Sequence, residues 1–269
     1  MCLIAIAWKR KDRWPLILAG NRDEFHARPT DPAGFWPDAP DVIGGRDLTA
    51  GGSWLGVSAA GRFAAVTNYR ERLDPPPDAR SRGHLVGDFL RGRETAEDFI
   101  AEVAADADRY AGFNLFVGDR DTLMYYSNRD GLPRALDAGR YALSNATLGT
   151  PWPKVERMRA AFAAELDARP DPDPKALLAL LDDREPASEA DLPTTGLAPE
   201  RERLVSAPFV VSASYGTRAS SVVMMRDDGK AIFIERSFDP AGVALETRKF
   251  VFFVPLQAAS RWMPATTAG

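Results

Sequence analysis

The chain begins with Met1-Cys2-Leu-Ile-Ala-Ile-Ala-Trp8, and after a charged turn it continues with Pro15-Leu-Ile-Leu-Ala-Gly-Asn-Arg-Asp-Glu24. Short apolar runs that are separated by a turn are typical of neighbouring strands inside a covered sheet. Residues 3–8 and 15–19 therefore predict an antiparallel hairpin. In such a hairpin the far end of the second strand returns to Cys2, so the polar residues Asn21 to Glu24 are expected beside this cysteine.

The remaining sequence alternates between groups of strands and groups of helices. Residues 24–47 are rich in Pro, Gly and Asp, and we expect a long loop with little regular structure there. Apolar periodicity predicts strands at 53–58, 62–68, 113–118, 122–127, 140–145, 208–214, 220–226, 231–237 and 247–254, and helices at 82–91, 95–110, 152–166 and 174–182. Hairpins dominate this order, which favours antiparallel sheets covered by helices over a doubly wound parallel sheet.

Composition excludes several classes of protein. The chain has 269 residues and a formal charge of −4, so a basic groove for nucleic acid is not indicated. We find no apolar run of about 18 residues and expect no stable membrane insertion. One cysteine and two histidines provide neither a disulfide framework nor a metal-ligand spacing. We expect one domain over residues 1–257 and a mobile tail over 258–269.

The order of charges at the N-terminus bears on localisation. Lys9, Arg10 and Lys11 follow the first apolar run, whereas a secretory signal carries its positive charge before a longer apolar segment. A lone cysteine also suits a reducing compartment. The sequence therefore predicts a cytoplasmic protein.

Because Cys2 is the second residue, it can become the N-terminal residue and act as a nucleophile with its own base. A small second residue normally permits removal of Met1, and Cys2 then carries both a thiol and a free α-amine. The ordinary pKa of an α-amine is about 7.7 to 8.0, so this amine can accept the thiol proton near neutral pH. The resulting thiolate is a nucleophile that needs no histidine. The alternative is structural, because cysteine often serves as a small buried hydrophobe that would simply begin the first strand.

The charged groups that follow the second strand fit the first of these interpretations. Arg22 can stabilise a thiolate, and Asp23 can orient the α-ammonium group that forms during catalysis. The alternative for these residues is a solvated turn with local ion pairs. A thiol and an oppositely placed charged cluster together favour a catalytic site.

Several further motifs resemble one protein family over nearly the whole chain. The segments are Met1-Cys-Leu-Ile4, Ala19-Gly-Asn-Arg-Asp-Glu-Phe25, Arg28-Pro29, Gly44-Gly-Arg-Asp47, Gly52-Ser-Trp-Leu-Gly56, Thr67-Asn-Tyr-Arg70, Ser81-Arg-Gly83, Ser144-Asn145 and Tyr215-Gly-Thr-Arg218. On these motifs the chain is identified as a member of the NRDE family, whose eukaryotic members are the transport and Golgi organisation proteins.

The NRDE family is in turn similar to the cysteine N-terminal-nucleophile (Ntn) hydrolases of the penicillin V acylase and bile salt hydrolase group. This resemblance implies an α+β fold, a four-layer αββα sandwich of two antiparallel sheets flanked by helices. It also implies catalytic roles, which we assign by matched position. Cys2 corresponds to the nucleophile, Asp23 to the aspartate that contacts the α-amine, Asn68 to the oxyanion-hole asparagine, Asn145 to a second active-site asparagine, and Arg218 to the last active-site arginine.

One departure from the acylase pattern concerns the active-site arginine. The acylases have arginine before the asparagine of this motif, whereas this chain has Gly20 there and Arg22 after Asn21. A two-residue shift along a strand keeps the same face, so Arg22 is expected to replace the missing arginine.

Three interpretations of function remain open. The first is hydrolysis of a non-peptide amide bond, with a ligand contacted by Asn21, Glu24, His26, Tyr69 and Arg70 and with no cofactor. The second, implied by the family, is a binding or trafficking protein on the same scaffold that handles haem, acyl-coenzyme A or lipids. A degenerate enzyme without turnover is a third possibility. The sequence names no natural substrate.

Overall fold

The computed structural model describes residues 2–10, 13–71, 76 and 78–256, and the expected tail over 258–269 lies outside this part of the chain. The strands are β1 (Cys2–Trp8), β2 (Leu16–Phe25), β3 (Thr30–Trp36), β4 (Ala39–Asp47), β5 (Leu55–Ser58), β6 (Phe63–Asn68), β7 (Phe113–Gly118), β8 (Leu123–Ser127), β9 (Arg134–Ala135), β10 (Gly139–Leu143), β11 (Tyr215–Met225), β12 (Lys230–Phe238) and β13 (Ala244–Phe253). The helices are α1 (Arg82–Arg91), α2 (Ala96–Ala105), α3 (Pro153–Ala168), α4 (Pro174–Leu180) and α5 (Pro199–Leu204), with 3₁₀ turns at Ala107–Arg109 and Glu189–Asp191.

The described strands form two antiparallel sheets. The first sheet has the order β10-β1-β2-β11-β12-β13, and the second has the order β3-β4-β5-β6-β7-β8-β9. The first hairpin is confirmed, and its register pairs Cys2 with Arg22 and Trp8 with Leu16. Strand β11 pairs with the other side of β2. The strand that carries the polar cluster therefore lies in the middle of its sheet.

Side chains of β1 alternate between two hydrophobic cores. Ile4, Ile6 and Trp8 face the space between the sheets, where they pack with residues of the second sheet such as Leu55 and Phe63. The alternate residues of β1 belong to a second core. Burying both faces of one strand explains its continuous apolar sequence. Each such large side chain contributes about 1.5 to 3 kcal/mol when removed from water.

Helices cover the outer face of each sheet. Val155, Met158 and Phe162 of α3, together with residues of α4, pack against the first sheet. Helices α1 and α2 pack against the second sheet through residues such as Phe89 and Ile100. The predicted four-layer αββα sandwich is therefore confirmed. The prediction of a single domain over 1–257 stays a prediction.

The helix starts follow from local sequence. The Thr95 side chain accepts a hydrogen bond from the Asp98 backbone N–H at the start of α2, and Asp173 does the same for Lys175 at the start of α4. Such caps stabilise a helix by about 1 kcal/mol.

The expected long loop over 24–47 is wrong, because this region contains the end of β2 and the hairpin of β3 and β4. Strand β3 is an edge of its sheet, and its pairing with β4 is interrupted between Asp31 and Gly34. Pro32 lies in this interruption. An edge strand can carry proline because it loses no central ladder hydrogen bond there, so composition alone misjudged the segment.

The predicted strand over 208–214 is also wrong. This segment has no regular structure, although Phe209 and Val210 are buried. Its backbone is held locally, since the Val210 N–H donates to the Thr217 hydroxyl and the Thr217 N–H donates to the Val210 carbonyl. A short buried apolar run does not by itself distinguish a strand from irregular structure.

Candidate active site

A cavity of about 660 Å³ opens between the two sheets at the start of β1. Its wall includes Cys2, Arg22, Asp23 and Glu24 from the first hairpin and Asn68 from β6. Arg82 from the first turn of α1 and Arg218 from β11 complete this part of the wall. The fold therefore brings together residues that lie far apart in the sequence, and the cavity is within the range of sizes that small-molecule sites have.

Cys2 begins β1 and belongs to the core between the sheets, but it also contributes to the cavity wall. Its exposed fraction is 7%. Burial raises the pKa of its thiol, and the nearby charge of Arg22 and a hydrogen bond from the Asp23 backbone N–H act in the opposite direction. The resting thiol is therefore protonated near neutral pH, and a base has to remove its proton before it can attack.

Asp23 lies one position beyond the Cys2–Arg22 pair, on the side of the Cys2 amide nitrogen. Its side chain is 1% exposed and accepts a hydrogen bond of 2.7 Å from the Thr217 hydroxyl. The Tyr215 hydroxyl donates to the backbone carbonyl of Asp23. Burial raises the pKa of Asp23, and the positive charge of Lys154 opposes this effect. The Asp23 carboxyl group is thus buried and hydrogen-bonded on the residue that follows the Cys2–Arg22 pair.

Arg22 is buried, and it pairs with Cys2 across the hairpin of β1 and β2. One guanidinium nitrogen donates to the Thr30 hydroxyl at 3.3 Å, and another lies 3.8 Å from the Glu24 carboxylate. A Cβ atom at Gly20 would lie 2.8 Å from the Leu3 carbonyl oxygen, so this position has no room for a side chain. Arg22 therefore occupies the cavity face in place of an arginine at position 20.

The two asparagines that were predicted in the active site have different environments. Asn68 ends β6 and lines the cavity. Asn145 is fully buried outside the cavity wall, and its side-chain amide donates to the Asn68 backbone carbonyl at 2.8 Å. The Ser144 hydroxyl lies 2.8 Å from the Cys2 carbonyl oxygen. Asn145 therefore supports the segment that carries Asn68, and in this structure it does not face the cavity.

Arg218 reaches the cavity, but its guanidinium also contacts the backbone. Nη1 lies 3.1 to 3.3 Å from the carbonyl oxygens of Phe25, His26 and Arg28. These contacts fix the loop that follows β2. The side chain thus combines a structural contact with a position on the cavity wall.

Four residues that were predicted to bind a ligand lie outside the cavity wall. Asn21 is fully buried and donates to the carbonyls of Leu181 and Pro208. His26 lies next to the Ser212 carbonyl, at 3.0 Å. The Tyr69 backbone N–H donates to Gly112. Of the five expected ligand contacts, only Glu24 lines the cavity.

Arg70, the fourth of these residues, belongs to a buried ionic group behind the site. It pairs with Glu202 at 2.9 Å, and its guanidinium lies 4.5 Å from the ring centroid of Trp152.

Lys154 is a site residue that sequence reasoning missed. It lies at the start of α3, is 1% exposed and donates to the Val205 carbonyl at 3.0 Å. Burial lowers its pKa to about 8, and the charge of Asp23 opposes this effect. A signal was present in the sequence, because Lys154 precedes Met158 and Phe162 at four-residue spacing on an apolar helix face.

Lys154 gives a pH-dependent prediction. Its pKa is about 8 in the folded chain against an ordinary value of 10.5, so between these values the unfolded chain binds more protons. The free energy of unfolding therefore rises with pH in this window, by at most about 1.4 kcal/mol per pH unit. We expect Lys154→Met to lose this rise. Urea unfolding at pH 7.5 to 10 measures it, and Lys175→Met, at an exposed position of α4, is the matched control. If the free energy of unfolding changed with pH in the same way in wild type and in Lys154→Met, the prediction would be contradicted.

Arg82 is the second residue that was missed. One of its guanidinium nitrogens donates to the Gly112 carbonyl at 2.9 Å, and its charge interacts with Cys2 and Glu24. Its position depends on a close contact between the segment that precedes β5 and the first turn of α1. The Ser53 N–H donates to the Gly83 carbonyl, and a Cβ atom at Gly52 would lie 2.4 Å from the Gly83 carbonyl carbon.

We therefore expect Gly52→Ala to destabilise the fold. The added methyl group would force two backbone segments apart, at a cost of about 1 to 3 kcal/mol. Gly34→Ala is the matched control, because a Cβ atom there would meet no atom closer than 3.9 Å. Urea unfolding of both variants measures the difference. Equal stability of the two variants would show that the segment before β5 and the start of α1 can move apart without a cost in stability.

The described residues contain neither a metal-binding cluster nor a helix that could span a membrane. No group of three or more His, Cys, Asp or Glu side chains among them is arranged to hold a metal ion. In the same residues, no helix has the length and apolarity needed to cross a bilayer.

Comparison with solved structures gives distant likenesses. A variant of conjugated bile acid hydrolase from Clostridium perfringens aligns with a TM-score of 0.49 and 10% identity, covering 96% of this chain and 100% of that one. The Caenorhabditis elegans N-acylethanolamine-hydrolyzing acid amidase ortholog aligns with a TM-score of 0.46 and 11% identity, covering 82% and 92%. The fold assignment depends on the strand order and layers of this chain itself.

Comparison of sequences finds relatives that are more similar to this chain than these solved structures are. The Transport and Golgi organization protein 2 homolog of Bos taurus is 35% identical over 93% of this chain and 99% of its own length. The Homo sapiens homolog is 34% identical over 94% and 99%. A family model described as TANGO2, Transport and Golgi organisation 2, matches residues 1–240. The chain therefore belongs to the Transport and Golgi organisation 2 family.

Proposed function

We propose that this chain is a cysteine amide hydrolase of the Ntn type, in which the thiol of Cys2 is the nucleophile and its α-amine is the base once Met1 is removed. One observation carries the proposal. The single cysteine of the chain lies in the wall of a cavity, and the buried residue Asp23 lies one register position beyond the Cys2–Arg22 pair, on the side of the Cys2 backbone nitrogen.

The reaction would begin with proton transfer from the thiol to the α-amine. The thiolate then attacks the carbonyl carbon of the amide, a carbon–sulfur bond forms, and the carbonyl electron pair moves to oxygen. The α-ammonium next gives its proton to the leaving nitrogen as the carbon–nitrogen bond breaks, which leaves a thioester on Cys2. Water, deprotonated by the α-amine, attacks the thioester and releases a carboxylic acid and the free thiol.

Two groups would stabilise the charges that develop. The Asp23 carboxylate stabilises the α-ammonium, and the nearby charge of Lys154 favours the ionised form of this carboxyl group. The Asn68 side chain, at the cavity wall, is the candidate donor to the oxyanion. Loss of one such donor costs roughly 3 to 4 kcal/mol in well-studied hydrolases. Asn145 would act indirectly by holding the Asn68 backbone.

Two measurements test the proposal. Intact-mass analysis of protein from its native host reports whether Met1 is removed, and we expect the mass that corresponds to an N-terminal Cys2. The processed protein is then incubated with penicillin V and with aminoacyl amides, and the mass increase of an acyl group on Cys2 is sought. Retention of Met1, or failure of every acylating reagent to modify Cys2 in processed protein, would refute the hydrolase proposal.

The alternative is a binding or trafficking protein on the same scaffold, as the names of the relatives suggest. The low exposure of Cys2 and its raised thiol pKa favour it, because they describe an unreactive resting thiol. If the ligand is haem, its spectrum should change in Cys2, His26 or His84 variants. Nε2 of each histidine ring already contacts a backbone carbonyl, that of Ser212 for His26 and that of Ala50 for His84, so ligation that keeps these contacts would use Nδ1. Unchanged spectra would remove direct ligation by these residues.

A further inference from the structure

The cavity wall contains six arginines, and four of them have carboxylate partners. The pairs are Arg22 with Glu24, Arg28 with Asp47, Arg46 with Asp38, and Arg80 with Asp106. The two others, Arg82 and Arg218, form no ion pair with a carboxylate in the described part of the chain. Their positive charges are therefore not balanced by a direct partner.

Backbone contacts hold both of these guanidinium groups in place. Arg82 donates to the Gly112 carbonyl, and Arg218 contacts the carbonyls that follow β2. Among the described residues, only Nη1 of each side chain has a hydrogen-bond partner. The other guanidinium N–H groups remain available at the cavity, and partial burial makes their positive charges costly without an anion.

Both arginines line the same cavity as the proposed nucleophile. The charge of Arg82 interacts with the Cys2 thiolate and with Glu24. The charge of Arg218 interacts with Arg22 and Glu24, which flank the same end of β2. A ligand whose carbonyl group reached Cys2 would therefore bring its other groups close to two fixed cations.

We propose that Arg82 and Arg218 bind a carboxylate group of the substrate, so that the amide hydrolysed at Cys2 belongs to an acidic molecule. This inference rests on the hydrolase proposal and deepens it. The planar guanidinium fork of arginine matches a carboxylate through paired N–H···O bonds. Glu24 lies at the same mouth and would repel a phosphate dianion more strongly than a carboxylate, which favours the single negative charge.

The test uses Cys2 itself as the reporter. Iodoacetate and iodoacetamide alkylate a thiolate by the same displacement of iodide, but only iodoacetate carries a carboxylate. Because this chain has one cysteine, the added mass reports Cys2 alone. The thiolate fraction affects both rates equally, so their ratio is independent of the thiol pKa. We expect the iodoacetate-to-iodoacetamide ratio to exceed that of free cysteine by about tenfold, which corresponds to roughly 1.4 kcal/mol.

Variants of the two arginines test whether they cause the higher iodoacetate-to-iodoacetamide ratio. Arg82→Gln and Arg218→Gln should each lower the ratio towards that of free cysteine, while Arg82→Lys should keep most of it. Arg80→Gln is the matched control, because Arg80 also lines the cavity but pairs with Asp106. Loss of the Arg82 charge also changes the thiolate fraction, so only the ratio of the two rates is compared, and urea unfolding shows that each variant is folded. Added salt should lower the wild-type ratio, because it screens charge interactions.

The outcomes separate the two proposals. A ratio equal to that of free cysteine, or one that Arg82→Gln and Arg218→Gln leave unchanged, overturns the carboxylate inference, and acylation of Cys2 by neutral amides would then leave the hydrolase proposal intact. Protection of Cys2 by inorganic phosphate but not by acetate would also overturn the inference. Absence of alkylation by both reagents would show an inaccessible thiol and would overturn both proposals.

Discussion

Replacing Cys2 by serine is expected to reduce amide hydrolysis by at least about a thousandfold, and replacing it by alanine should abolish the acyl adduct. A hydroxyl group is a much weaker acid than a thiol, so an α-amine removes its proton far less readily. Serine and alanine are both small, so Met1 removal should persist in the two variants. The measurement is turnover of an amide that acylates the wild-type protein, together with the intact mass.

The structure makes this comparison informative, because Cys2 is also part of the core between the sheets. A change that unfolded the chain would abolish activity for an unrelated reason. Urea unfolding of the serine variant therefore accompanies the assay, and we expect only a small change in stability. Wild-type hydrolysis by a stable, processed alanine variant would rule out Cys2 as the nucleophile.

Replacing Asp23 by asparagine is expected to have the second largest effect. The amide cannot balance the α-ammonium that forms when the thiol is deprotonated, and turnover should fall by about a hundredfold or more. The same change removes the negative charge that favours the buried ammonium of Lys154, which should lower the free energy of unfolding. Steady-state kinetics and urea unfolding measure the two effects.

Glu24 provides the matched control for this change. It is the next residue along β2 and also lines the cavity, but its side chain is partly exposed. We expect Glu24→Gln to change turnover by less than about tenfold and to leave stability nearly unchanged. Equal effects at the two positions would mean that the carboxyl group of Asp23 has no special relation to the α-amine.

The fold was largely predictable because most of its strands show as short apolar runs that are separated by turn residues. The hairpin of β1 and β2 follows from two apolar runs and a charged turn, and the structure confirms its register. The hairpin of β3 and β4 was missed, since its irregular edge strand contains Pro32 and so resembles a loop in composition. Helix α5, with six residues, is too short for a periodic signal.

The site was predictable where strand pairing determines it. Asp23 and Arg22 could be placed beside Cys2 because a hairpin fixes which residues are opposite one another. Arg82 and Lys154 could not be placed in this way. They belong to helices on opposite sides of the sandwich, and only the packing of four layers brings both towards Cys2. Asn21 was predicted to contact the ligand, and this prediction was wrong. Side chains alternate between the two faces of β2, and Asn21 lies on the face that the helices cover.

The pairing of β2 with β11 has a consequence for the order of events during synthesis. These strands are about 200 residues apart, so at a translation rate of about 5 to 20 residues per second the first hairpin waits roughly 10 to 40 s on the ribosome for its second neighbour. Once the first sheet is complete, Cys2 is 7% exposed and β1 is fixed between two neighbouring strands. We therefore expect removal of Met1 to be fastest in this interval, and a chain that kept Met1 would have the Cys2 nitrogen blocked by a peptide bond.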